Sequence, residues 1–178
     1  MESLSGEWIR RRLMYHHVLV AVDGGACALR ALTEAIRLAA ACRAQLEVVH
    51  VIDYSFLQYD SGYGVRADII PELLEYGKNL LRDASGAAEQ AGVKCTTTLV
   101  DNIIGLGDVA GQILERINTS HADVVVVGTH GRHGLKRVFL GSVAESLARA
   151  SAVPVLLVRE EPRTHGIAPD EALAEASR

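Results

Sequence analysis

The chain lacks several features that mark particular protein classes. Its three cysteines, Cys27, Cys42 and Cys95, are an odd number without zinc-ligand spacing, so neither a disulfide framework nor a metal cluster is expected. Lys and Arg total 18 against 22 Asp and Glu, a formal charge of -4, whereas general nucleic-acid and membrane-surface binders usually carry a basic excess. Any anion site must therefore be local, and a reducing cytoplasm is the expected compartment.

Long apolar segments are also missing. No apolar run approaches the roughly 20 residues needed to span a bilayer, and charges occur throughout the first fifteen residues, MESLSGEWIRRRLMY, so no secretory signal is expected there. Residues 1–15 are predicted to be an extension, with translation starting at Met1 or at Met14. Residues 160–178 are predicted to form a polar, mobile tail. One globular domain is expected over residues 16–159.

Apolar runs alternate with helical patterns along this domain. Nearly continuous β-branched and apolar runs predict strands at 16–22, 44–52, 93–100, 122–127 and 153–158. Spacings of three and four predict helices at 26–42, from about 71 to 91, at 109–119 and at 142–150. This order predicts an α/β fold, a single Rossmann-like domain with a five-stranded parallel sheet, helices on both faces and right-handed crossovers. In the first helix the apolar stripe consists of Leu29, Leu32, Ala35, Ile36 and Ala39.

Glycines follow the first and fourth predicted strands. Gly24 and Gly25 come after Asp23, and the segment GTHGRHGLKRVFLGS, residues 128–142, holds four glycines and three Lys or Arg residues. Ligands of such sheets bind beyond the carboxyl ends of the strands. Glycine allows close backbone approach there, and the amides at a helix N-terminus, here around Gly141, hold phosphate oxygens.

A structural explanation of the same residues stays open. Glycines after strands also serve simply as turn formers. Ser142 has the position of a helix N-cap, with Glu145 completing a capping box, and we predict that it both caps and binds. Asp23, between a strand and a helix, is alternatively a cap or turn residue.

The spacing of these glycines is more specific than their presence. The Walker A loop and the G-x-G-x-x-G fingerprint are both absent from the chain. Present instead are Gly128, two residues, Gly131, nine residues, then Gly141 and Ser142. In this pattern the chain resembles the ATP-binding branch of the universal stress protein family. The resemblance extends from about residue 16 to 159 and includes VLVAVDGG, VVHVID and LGSVAESLARASAVPVLLV.

The resemblance implies a fold, a ligand and an assembly. The fold is adenine nucleotide alpha-hydrolase-like, the ligand is ATP with Mg²⁺, and the protein is a homodimer through strand 153–158. The Asp23 carboxylate is implied to lie near the ribose, and the Val51 backbone to meet the adenine. The implied site is Ala21, Asp23, Val51, Val127, Gly128, His130, Gly131, Gly141, Ser142 and Val143. Gly25 and Val109 depart from the family's usual serine and proline, which affects the expected geometry of the first loop.

Three function classes follow from these observations. The first is an ATP-binding regulator of a stress response or signalling pathway. The second is a slow ATPase or nucleotidyl-transfer enzyme, and the third is a dimeric scaffold that binds no nucleotide. Hydrolysis requires a positioned base and a metal-holding carboxylate, whereas residues 129–140 contain no acidic residue. Binding is therefore favoured over catalysis, no catalytic residue is predicted, and neither nucleic acid nor a membrane is an expected partner.

Overall fold

The computed structural model describes residues 15–58, 69–131 and 140–160. Five strands are present in this part of the chain: β1 (His17–Ala21), β2 (Gln45–Val51), β3 (Cys95–Val100), β4 (Val124–Gly128) and β5 (Val155–Val158). Helices α1 (Ala26–Cys42), α2 (Ile69–Gln90), α3 (Val109–Ser120) and α4 (Ser142–Ala150) alternate with them, and a short 3-10 helix spans Ser55–Gln58. The predicted extension up to Met14, the basic residues of segment 132–139 and the tail after Glu160 lie outside the described residues.

The five strands form one parallel sheet in the order β3-β2-β1-β4-β5. Strand β1 is central: Val18 pairs with Leu46 of β2 on one side and with Val124 of β4 on the other. The prediction of an α/β fold with a five-stranded parallel sheet is confirmed. The strand order reverses next to β1, which places the ligand-binding edge of this fold at the carboxyl ends of β1 and β4.

Apolar side chains cover both faces of the sheet. Residues of even number in β1, such as Val20, pack with α1 and α2, together with Ala35 and Leu81. Residues of odd number, such as Leu19, pack with α3 and α4, together with Ile117 and Leu147. Because successive side chains of a strand point to opposite faces, a continuous apolar run supplies both layers. The prediction of helices on both faces is therefore also confirmed.

Helix α1 buries Leu32, Ala35 and Ala39 of the predicted stripe, and Leu29 is the exception. Leu29 is 50% exposed, whereas the helix buries mostly small side chains, among them Ala28, Ala31 and Ala35. Because alanines form the inner face, the helix backbone lies close to β1 and β4, and Leu29 points outward. The prediction for Leu29 is wrong because helical spacing alone does not choose between two adjacent apolar stripes.

None of the described helices combines the length and the apolar content that crossing a membrane requires.

Candidate functional site

A cavity of about 730 Å³ opens at the carboxyl ends of β1, β2 and β4. This volume lies in the range of small-molecule sites in proteins. The structure brings all ten of the sequence-predicted site residues to its wall: Ala21, Asp23, Val51, Val127, Gly128, His130, Gly131, Gly141, Ser142 and Val143. Their convergence follows from the topology, because the carboxyl ends of parallel strands meet at one edge of the sheet. Their individual contacts with a ligand remain predictions.

The turn between β1 and α1 forms one wall. The Oδ1 atom of Asp23 accepts a 2.9 Å hydrogen bond from the Gly25 amide, and Gly24 has a φ of 85°, which glycine adopts without strain. The N-cap of α1 is Gly25, without a side-chain cap. Asp23 therefore holds its own turn and does not cap the helix through its side chain. Its main-chain carbonyl accepts a 3.2 Å bond from the Tyr76 hydroxyl of α2.

The end of β2 presents main-chain polar groups to the cavity. The Ile52 amide donates to the Val100 carbonyl of β3 at 3.0 Å, and the Val22 amide donates to the Val49 carbonyl at 2.9 Å. Successive peptide groups of a strand face opposite neighbours, so the N–H and C=O of Val51 face the side of β1. At the level of Val51 no strand of the described chain lies on that side, because β1 ends at Ala21. The Val51 peptide groups are thus directed at the space between the strands.

Two glycines after β4 occupy tight positions. A Cβ added at Gly128 would lie 2.8 Å from the carbonyl carbon of Cys27 and 2.9 Å from its Cβ. Gly128 therefore allows the start of α1 to pack against the end of β4. A Cβ at Gly131 would lie 2.8 Å from Asp23 Oδ2, so this glycine brings the loop beside that carboxylate. At Gly128 the packing role that the sequence left open is present in the structure.

The start of α4 completes the opposite wall. Gly141 is the N-cap of α4, and no side chain among the described residues forms a capping hydrogen bond there. Ser142 is the first helical residue. The prediction that Ser142 caps the helix with Glu145 is therefore wrong; the Glu145 carboxylate accepts a 2.7 Å bond from Arg149 instead. The first amides of a helix lack intrahelical acceptors, and those of α4 border the cavity. The Gly141 amide itself donates to the Thr129 carbonyl at 2.8 Å.

His130 contributes an imidazole to the cavity wall. Its Nδ1 atom lies 3.0 Å from the Thr129 hydroxyl. Its Nε2 atom is buried and has no hydrogen-bond partner among the residues that the structure describes. Since a buried polar atom without a partner is costly, this nitrogen is suited to a polar atom of a ligand.

A phenol–carboxylate pair fixes the rim beyond β2. The Tyr54 hydroxyl donates a 2.6 Å hydrogen bond to Asp101 Oδ1, which joins the segments that follow β2 and β3. Burial raises the pKa of Tyr54 to about 12, with further increases from the hydrogen bond and the negative charge of Asp101. The phenol therefore stays protonated through the neutral range. Asp53 and Ser55, on either side of Tyr54, line the cavity.

Sequence reasoning missed several lining residues. Thr129 lies inside the glycine motif, so its place in the cavity wall could have been predicted from its position in the sequence. Tyr76 and Leu73 lie on α2, far from any motif, and reach the cavity only through the packing of that helix. His50 is buried, with its Nδ1 atom 2.8 Å from the Val22 carbonyl. Across the described ranges, no group of three or more His, Cys, Asp or Glu side chains is arranged to hold a metal ion.

Comparisons with known proteins agree with this architecture. A family model described as "Universal stress protein family" matches residues 14–159. The universal stress protein MJ0531 of Methanocaldococcus jannaschii is 32% identical over 148 residues, 83% of this chain and 84% of the relative. A crystal structure from the same family, from Burkholderia pseudomallei, is 31% identical, covers 82% of this chain and 96% of its own, and has a TM-score of 0.65. A universal stress protein solved in complex with cAMP is 28% identical, covers 83% and 99%, and has a TM-score of 0.58.

Proposed function

The chain belongs to the universal stress protein family, and we propose that it binds an adenine nucleotide, ATP in particular, as a regulator in a stress response or signalling pathway. The observation that carries this proposal is the convergence of the glycine motif, the Asp23 turn and the start of α4 on one cavity. The solved relative in complex with cAMP supports the choice of an adenine nucleotide.

The first half of the cavity suits adenosine. In this proposal the Val51 peptide groups bond the polar edge of the adenine, while the side chains of Ala21 and Val127 flank the base and sugar. The Asp23 carboxylate accepts a hydrogen bond from a ribose hydroxyl. These roles fit the chemistry of each group, because main-chain amides and carbonyls complement a heterocycle edge and a carboxylate complements hydroxyl donors.

The second half suits the phosphates. Amides at the start of α4, at Ser142 and Val143, and the Gly131 amide bond phosphate oxygens, helped by the positive end of the helix dipole. Gly141 leaves room for the phosphates because it has no side chain. His130 adds a ring nitrogen. Mg²⁺ bound with the nucleotide would neutralise part of the phosphate charge. Residues 129–140 contain no carboxylate, which favours binding without turnover.

We further propose a homodimer formed through β5 in the cytoplasm. β5 is an edge strand of the sheet, and Leu156 and Leu157 are 42% and 37% exposed. An apolar edge strand is a liability that proteins cover or pair. All three cysteines are free thiols, which suits a reducing compartment.

Nucleotide binding is tested on the purified protein and one variant. Mass spectrometry of released nucleotide and calorimetry with ATP, ADP, AMP and cAMP define the ligand. Gly141→Val should abolish detectable ATP binding, since even a Cβ at this position would lie 3.1 Å from the Thr129 carbonyl oxygen and occupy phosphate space. Gly86→Val is the matched control, because a Cβ at Gly86 meets nothing within 4 Å. Wild-type affinity in folded Gly141→Val, or no binding by the wild type, contradicts the proposal.

A further inference from the structure

Thr129 is held from both sides at the end of β4. Its amide donates to the Val158 carbonyl of β5, and its carbonyl accepts from the Gly141 amide, both at 2.8 Å. The residue is only 3% exposed. Its backbone is therefore fixed between the edge strand and the start of α4, and its hydroxyl has a defined position 3.0 Å from Nδ1 of His130.

The contact between this hydroxyl and His130 Nδ1 has two possible proton arrangements. If the hydroxyl donates, Nδ1 is the acceptor and the neutral ring carries its proton on Nε2. If Nδ1 of the neutral ring donates, Nε2 is an acceptor with a lone pair. The two arrangements give the buried Nε2 atom opposite hydrogen-bonding character. They therefore decide which kind of ligand atom it can bind.

Burial of Thr129 favours the first arrangement. Within the described ranges, the hydrogen-bond contact of its Oγ1 atom is His130 Nδ1. If Nδ1 donated, the hydroxyl proton would be left without an acceptor in a buried position, at a cost that proteins generally avoid. With the hydroxyl as donor, both its proton and the Nδ1 lone pair are satisfied. Nε2 then carries a proton that lacks a partner in the described chain, on a side chain that lines the cavity.

We propose that Thr129 is a positioning residue that holds His130 in the neutral Nε2–H tautomer, so that the imidazole donates a hydrogen bond to a phosphate oxygen of the nucleotide. This inference rests on the proposed function and adds a specificity element to it. The acceptor is an oxygen, and phosphate oxygens are strong acceptors. The arrangement favours phosphorylated nucleotides over the bare nucleoside.

The tautomer is measured first, on the nucleotide-free full-length protein. Long-range ¹H–¹⁵N NMR spectra distinguish a protonated from an unprotonated ring nitrogen, and His130→Gln assigns the signals. We expect Nε2–H in the wild type and in Thr129→Ser, which keeps the hydroxyl. Thr129→Val, of nearly the same shape, should lose this preference. A wild-type His130 protonated on Nδ1 alone overturns the inference, without recourse to any variant.

Binding is measured second, by calorimetry with ATP and with adenosine. Thr129→Val should weaken ATP binding about tenfold, as expected for a weakened hydrogen bond to a charged group, while adenosine binding changes less than twofold. Thr129→Ser should bind both like the wild type. Equal losses for ATP and adenosine, or no loss for either, overturn the positioning role. Absence of ATP binding in the wild type instead contradicts the proposed function. The tautomer measurement does not depend on that result, because it uses the nucleotide-free protein.

Discussion

The guanidinium of Arg116 on α3 lies 2.5 Å from the carboxylate of Glu47 on β2, whose side chain is only 1% exposed. The Thr98 hydroxyl donates to the same carboxylate oxygen at 2.7 Å, and the Nε2 atom of His17 lies 3.3 Å from the other oxygen. A charged group so deeply placed depends on its partners, because an unpaired buried charge is strongly unfavourable. The pair therefore links α3 to the sheet.

Removing the cation should destabilise the fold. Loss of one partner of a buried ion pair costs roughly 3–5 kcal/mol. Because Arg116 is itself 36% exposed, solvent screening reduces the expected loss for Arg116→Met to about 2 kcal/mol. Urea denaturation measures it. Arg37→Met is the control, since the pair of Arg37 with Glu34 lies at the surface. Loss of that pair should lower the free energy of unfolding by less than about 1 kcal/mol. Equal losses for the two variants would show that burial of Glu47 has no energetic consequence.

Tyr54 predicts a stability loss at high pH. Its pKa is 10.0 in the reference state and about 12 in the fold, so the unfolded chain releases the phenol proton first. The contribution is complete below pH 10 and is lost as the pH rises from 10 to 12, by up to about 2 kcal/mol. Denaturation of the wild type and Tyr54→Phe across this range should give a shallower decline for the variant.

Asp101→Asn refines the Tyr54 test. It removes the neighbouring charge but leaves the burial of Tyr54, which is the largest cause of its raised pKa. Most of the alkaline decline should therefore remain in this variant. Parallel pH profiles for wild type and Tyr54→Phe would mean that Tyr54 does not titrate differently in the folded and unfolded states.

Asp23 should affect affinity beyond its role in the turn. Asp23→Ala is expected to weaken ATP binding by about 1.5–3 kcal/mol, the loss of a hydrogen bond to a charged group. Deoxy-ATP should respond less to the substitution. Asp23→Asn keeps an acceptor for the Gly25 amide and separates turn geometry from charge. Calorimetry showing wild-type affinity together with a lowered melting temperature would assign Asp23 to the turn alone.

Gly128 is expected to be required for stability. A Cβ there would press on the Cys27 backbone, and overpacking of this kind costs typically 1–3 kcal/mol. Gly86→Ala, in open space on α2, should instead raise stability by about 0.5–1 kcal/mol, because alanine is the better helix former. Thermal and urea unfolding of the two variants should move in opposite directions, and a neutral Gly128→Ala would refute the close-packing role.

The proposed dimer is tested at a single amide of β5. The Pro154 and Val158 carbonyls accept from the amides of Val125 in β4 and of Thr129 just after it. By alternation the Leu157 amide therefore faces away from the sheet. Leu157→Pro removes that outward donor and spares the bonds to β4, whereas Leu157→Ala keeps it. Light scattering should show a dimer for the wild type and the alanine variant and a monomer for the proline variant. A wild-type monomer at tens of micromolar would disprove edge pairing.

The sequence predicts the sheet well because buried β-branched runs such as ADVVVV have few alternatives to a central strand. The ten predicted site residues line one cavity, because the carboxyl ends of parallel strands meet at one edge of the sheet, and their contacts with a ligand stay predictions. The place of Tyr76 in the cavity wall could not be predicted from the sequence, because its contact with the Asp23 carbonyl depends on how α2 packs. The prediction that Ser142 caps the helix is wrong for a local reason: Gly141 is the N-cap and Ser142 is the first helical residue. Its predicted contact with a ligand stays a prediction.

The pairing of β1 with β4 also has a consequence for biosynthesis. The His17 amide bonds the Asp123 carboxylate across 106 positions of sequence, and closing a loop of that length costs about 4 kcal/mol of chain entropy. The residues of the cavity wall that follow β1 are therefore synthesised long before the residues of the wall that follow β4. Any ligand of this cavity selects completed molecules, and by binding only these it shifts the equilibrium away from partly folded chains.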